Sequence, residues 1–159
     1  MKFHKNLFSA VIISLQNIFE KKYFADKVIE YLFKENKKWG SRDRKFVAET
    51  IYEIVRYFRL YSEIDFKIIN SEKINYWHLL GIHFILKQSP LPDWDEFNKL
   101  KINEIKNQFE QLRNVRKFRE SIPDWLDSVG ENELSENWDS EIHALNIPAK
   151  LCIRVNRLK

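Results

Sequence analysis

Lys37, Lys38, Arg42, Arg44 and Lys45 crowd around one expected helix start. Cations grip phosphates through charge, and the N–H groups of a helix N-terminus favour the same anion. Trp39 lies inside the cluster, where an indole either stacks on a base or closes the core. Arg56 and Arg59 extend the basic stripe along the following helix, with Tyr52 between them and Lys45. Arg44 has a second reading: one turn after the helix start, it can pair with an acid inside the fold and fix a loop. A further group, Arg113, Arg116, Lys117 and Arg119, falls near a segment expected to join two domains. It either lines a path for a polyanion or solvates a linker. Arg154 and Arg157 stand on or beside an expected strand, and Arg154 alternates with Ile153 and Val155, so it should face solvent or a bound polyanion.

Other chemistries lack their residues. Three glycines, at 40, 81 and 130, cannot build a phosphate-cradling loop. His78 and His83 are five apart, with no HExxH pattern and no third ligand, and read as packed core residues. His4 and His143 stand alone. Cys152 has no companion histidine for nucleophilic catalysis. Asp93, Asp95 and Glu96 follow a proline turn and read as acids at a helix start. Nothing assembles a nucleophile, a base and an oxyanion hole. No catalytic, cofactor or metal residue is assigned, and these residues describe a binding module.

The net charge of +4 hides an asymmetry: residues 1–60 carry 13 basic and 7 acidic side chains, whereas residues 121–145 carry seven acids and no Lys or Arg. The last fourteen residues are basic again. A polyanion would meet the first third and the last stretch, and the acidic block would repel it. With 159 residues and 14% aromatics the chain can bury a core, which excludes a disordered polypeptide. A single cysteine excludes a disulfide framework and points to a reducing compartment, the cytoplasm. Lys2 and Lys5 before the apolar run 7–15 resemble the start of a signal peptide, but no small-x-small cleavage site follows. No run of about 18 apolar residues occurs, so no membrane span is expected.

Apolar spacing predicts helices over 6–20, 24–37, 42–60 and 72–88, then shorter ones over 102–114, 123–129 and 133–144. Ser41 and Ser135 are the expected caps of the third and the last. The 72–88 segment is the most apolar and should lie centrally, with Gly81 at a close approach. In the last helix Leu134, Trp138, Ile142 and Leu145 should face inward. Residues 151–156 alternate with period two, a strand. A lone strand has no stable existence, so it reads as the edge of a second domain that this fragment lacks. The expected fold is all-α, about six to eight helices closed by one C-terminal β-strand. The expected division is 1–120 for the helical domain and 121–159 for linker helices and the strand.

Three stretches, in order, resemble one family. They are Trp39-Gly40-Ser41-Arg42-Asp43-Arg44-Lys45-Phe46-Val47-Ala48-Glu49-Thr50-Ile51-Tyr52-Glu53-Ile54-Val55-Arg56; Ser121-Ile122-Pro123-Asp124-Trp125-Leu126; and Ala144-Leu145-Asn146-Ile147-Pro148-Ala149 leading into Ile153-Arg154-Val155-Asn156-Arg157-Leu158-Lys159. Together they are similar to the start of the Sun/Fmu (RsmB-like) RNA cytosine-C5 methyltransferases. The resemblance implies a NusB-like helical domain that docks RNA, ribosomal RNA above all. It also implies a following catalytic domain that binds S-adenosylmethionine and attacks cytosine through cysteines. No residue of that catalytic part is present, and Cys152 matches no catalytic cysteine, so the chain alone should be inactive. The alternative is a free-standing NusB-like module for RNA or protein interaction in transcription or ribosome assembly; a purely structural helical protein is the third reading.

Overall fold

The computed structural model describes residues 4–71, 73–147 and 152–155. It divides into two units, Met1–Ser121 and Ile122–Lys159. In the first, α1 (Lys5–Phe19) buries Leu7, Phe8, Val11, Ile12 and Leu15 at helical spacing. It packs against α2 (Ala25–Glu35), α3 (Ser41–Arg56) and α5 (Tyr76–Leu86). Phe8 is the aromatic centre of this packing: Phe46, Phe84, Trp94 and Phe97 surround its ring at centroid distances of 5.0–6.3 Å. Such offset and edge contacts add about 0.5–1.5 kcal/mol each beyond area burial.

α5 is apolar on every side and buried on every side, as an all-round hydrophobic helix must be. The Asn75 side chain caps it, accepting from the N–H groups of Trp77 and His78. Gly81 sits where a Cβ would strike the Leu100 side chain and crowd Phe97. Two polar links cross this core. His78 Nδ1 lies 3.0 Å from Asp65 Oδ1, both buried, and His83 Nδ1 lies 3.4 Å from the Tyr61 hydroxyl.

The helix expected over 42–60 is two helices. α3 stops at Tyr57, and α4 runs Phe58–Ile69, a segment where no helix was expected beyond residue 60. The restart exposes new N–H groups, and their partner is distant in sequence: Ser121 Oγ accepts from Arg59 N at 3.1 Å and Leu60 N at 3.4 Å. A hydroxyl in this place does the work of an N-cap. After α5 come α6 (Ile102–Leu112), packed on α4 and α5, and the short α7 (Arg116–Arg119).

The second unit holds α8 (Asp124–Leu134) and α9 (Trp138–Asn146). Ser135 does not cap the last helix: it carries a left-handed φ of 46° and opens a 3-10 turn, and Asn137 precedes α9. At the earlier site Gly40 holds the cap position and Ser41 is the first helical residue. Trp138 and Ile142 are buried with Ile122, and Leu126 packs on them. Trp125, Leu134 and Leu145 are exposed, contrary to the expected inward faces of Leu134 and Leu145. Two short helices have room between them for only one indole and a few aliphatic groups.

No strand occurs among the described residues. Residues 152–155 are exposed and without regular structure, because an extended segment becomes a strand only against a partner ladder. Residues 151 and 156 of the expected strand lie outside the described residues. Among the described residues no helix is long and apolar enough to cross a membrane.

Two predictions follow from this packing. A Cβ at Gly130 would overlap the Trp138 indole, whose Nε1 donates to Asp127 Oδ1 at 3.0 Å. Gly130→Ala should therefore expose the Trp138 N–H to solvent exchange, because overpacking at about 1–3 kcal/mol exceeds the roughly 1 kcal/mol of added helix propensity. Burial, with Lys87 beside it, lowers the His83 pKa from 6.5 to about 4, partly opposed by Glu53. Below pH 6.5 the unfolded chain binds a proton that the folded imidazole refuses, so stability falls as pH drops from about 6.5 to about 4. In urea titrations across this window His83→Gln should lose less stability than the parent, by about 2–4 kcal/mol at the acid end.

Candidate nucleic-acid interface

The α2–α3 junction is built by backbone ligation. α2 ends at Asn36, whose side-chain amide donates to Leu32 O at 2.9 Å and whose carbonyl accepts from Trp39 N at 3.1 Å. Arg44, from the first turn of α3, reaches back over the loop. Its Nε donates to Trp39 O at 3.1 Å, its Nη2 donates to Lys37 O at 3.4 Å, and its guanidinium lies 5.4 Å from the Phe33 ring centroid. Arg44 thus fixes the loop, but through carbonyl oxygens and a ring, where the sequence suggested an acid. Trp39 packs half-buried on the core, edge-on to Phe33.

The clamp leaves Lys37, Lys38 and Arg42 at the surface around one junction. Among the described residues no ion pair forms at any of the three, whereas their neighbours are engaged. Lys45 pairs with Glu49 at 3.7 Å, and Arg56 reaches Glu53 at 4.0 Å. The stripe expected to run from Lys45 through Tyr52 and Arg56 to Arg59 is interrupted, because the break at Tyr57 puts Arg59 on a different helix. There Arg59 covers the Phe118 ring at 5.0 Å.

In the segment 113–120 the cations are likewise committed. Arg113 pairs with Glu110 at 3.2 Å. Arg116 is half-buried at the start of α7. Arg119 Nε donates at 2.8 Å to Glu120, a buried carboxylate. Arg154 is exposed in the segment 152–155, and Arg157 lies outside the described residues. Cys152 is an exposed free thiol.

Sequence reasoning passed over one surface. Between α1 and α2 lies a groove of about 620 Å³ edged by Lys21, Lys22, Tyr23, Phe24 and Tyr31. The signal was present as the run Lys21-Lys22-Tyr23-Phe24, but aromatic letters beside a helical stripe read by default as core. Among the described residues no cluster of three or more His, Cys, Asp or Glu could hold a metal ion. Family models, curated proteins and solved structures were compared with the chain, and none matches. The likeness to a family therefore rests on the three motifs.

The clamp predicts its own mutational signature. Arg44→Ala should destabilise the fold by about 1–3 kcal/mol and speed amide exchange at Trp39. Arg44→Lys should not restore it, because an ammonium cannot ligate two carbonyls and lie flat on Phe33 together.

Proposed function

We propose that the chain is the RNA-docking helical part of an RNA cytosine-C5 methyltransferase of the Sun/Fmu kind, built on a NusB-like bundle. In that role it holds RNA, ribosomal RNA in the first instance, for a catalytic domain that binds S-adenosylmethionine. The observation that carries the RNA reading is the display of Lys37, Lys38 and Arg42 with no carboxylate neutralising them among the described residues. A cation without an internal partner keeps its charge for a phosphate, and the rigid loop beneath it reduces the ordering cost of binding.

The motifs support the family, and two have structural work in this fold. Arg44 of the first motif locks the α2–α3 loop, and Ser121 of the second caps α4. The cytosine-attacking cysteines and the methyl-donor site belong, in the family, to the catalytic part. Coding sequence beyond codon 159 is expected to carry a glycine-rich S-adenosylmethionine motif and paired cysteines.

The docking role is tested by titrating the full chain with a ribosomal RNA fragment at several salt concentrations. Affinity should fall steeply with salt. Lys37→Ala/Lys38→Ala/Arg42→Ala should weaken binding at least about tenfold and flatten the logarithmic salt slope by about two. Absent or salt-independent binding by a folded parent chain would overturn it.

A further inference from the structure

The α1–α2 groove displays more aromatic surface than packing explains. Phe24 is 79% exposed, Tyr31 67% and Tyr23 58%. A single exposed ring is ordinary, but three around one concavity form a contiguous aromatic patch. Lys22 adopts a left-handed φ of 61° between the two helices, immediately before Tyr23 and Phe24. Phe24, Lys27, Tyr31 and Lys34 then recur every three or four residues, which sets them on one face of α2. That face is turned from Ile29 and Phe33, which pack on the core, while Leu32 both packs on the core and lines the groove. α2 is about 16 Å long, and just past its end come the exposed Lys37 and Lys38.

The segment that carries this face is net basic. Nine cations stand against five carboxylates between residues 20 and 45. Glu30 is held between Lys34 at 2.7 Å and Lys27 at 3.4 Å, which lower its pKa, and Glu35 also lines the groove. Lys21 and Lys22 form no ion pair among the described residues. Rings interleaved with lysines match a polymer that repeats a flat base and a phosphate at every step. A duplex hides its base faces and offers the rings nothing. A single strand offers both.

We propose that this face is a stacking track for single-stranded RNA. Bases lie on Tyr31, Phe24 and Tyr23, while phosphates meet Lys21 and Lys22 at one end and Lys37 and Lys38 at the other. The track rests on the RNA-docking reading and adds to it the form of RNA and the place of its bases.

The test uses the full chain, a fluorescein-labelled uridine octamer and a labelled 12-base-pair RNA duplex, read by anisotropy. The parent should bind the octamer more tightly than the duplex. Phe24→Ala/Tyr31→Ala should lose at least about tenfold on the octamer with an unchanged salt slope, and Tyr31→Trp should keep or raise affinity. Circular dichroism should show the same helix content in both variants, since the rings are exposed. If the aromatic variants bind the octamer like the parent while Lys37→Ala/Lys38→Ala/Arg42→Ala loses it, the track is wrong, docking stands, and the groove is left to a protein partner. A parent preference for duplex would also overturn the track. If the parent binds neither probe nor the ribosomal fragment, docking and track fall together.

Discussion

The Arg44 guanidinium decides what the basic surface can be. By ligating the carbonyls of Trp39 and Lys37 and lying on Phe33, it ties the end of α2 to the start of α3. Hydrogen bonds from a charged donor are among the stronger single contributions to a fold. The loop they hold presents Lys37, Lys38 and Arg42 outward and keeps Trp39 against the core. The cation most embedded in the motif is thus the one least available to a ligand. Its neighbours gain a stiff platform in exchange, and a stiff platform loses less entropy when a partner arrives.

A second constraint is polar and buried. The Asp65–His78 pair joins α4 to α5, and the Tyr61–His83 contact joins the same two helices. Removing one member of a buried pair leaves the other unsatisfied, a penalty larger than the net gain from making the pair. These links select one register between two helices whose remaining contacts are non-directional. The aromatic neighbours around Phe8, among them Phe84 of α5, join α5 to α1 and α3 within the same core.

What periodicity could reveal was set by where each partner lies. α1, α2, the start of α3 and the central α5 were legible because their apolar residues recur locally. α4 was not, for two reasons. One of its core positions is Asp65, a polar letter made tolerable only by His78 on another helix. Its N–H groups are satisfied by Ser121, about sixty residues away, so nothing local announces the break at Tyr57. The cations divide the same way. The engagement of Lys45 with Glu49 and Arg56 with Glu53 follows from helical spacing, whereas the carbonyl ligation by Arg44 depends on a loop path that no pattern encodes. At the carboxyl end, alternation alone could not make a strand of residues 152–155 without a ladder beside them.

Magnitudes limit what a docking surface of this size does by itself. A handful of cations such as Lys37, Lys38 and Arg42 could supply only a few phosphate contacts, and such binding would belong in the weak, non-specific range of about 10⁻⁴–10⁻⁶ M at physiological salt. In the proposed docking role, charge on this surface would concentrate RNA without choosing a sequence. Stacking on exposed rings adds about 1–3 kcal/mol per base, equally indifferent to sequence, but it discriminates unpaired from paired RNA. A helical domain working in this way would hand its partner an RNA already selected for strandedness. If the chain serves the methyltransferase proposed above, the choice of cytosine would remain with the pocket where the base reacts. Under the proposed role, that division would leave to the helical unit, with its cations on a fixed loop and its rings open beside it, the part of recognition that needs no base-specific hydrogen bond.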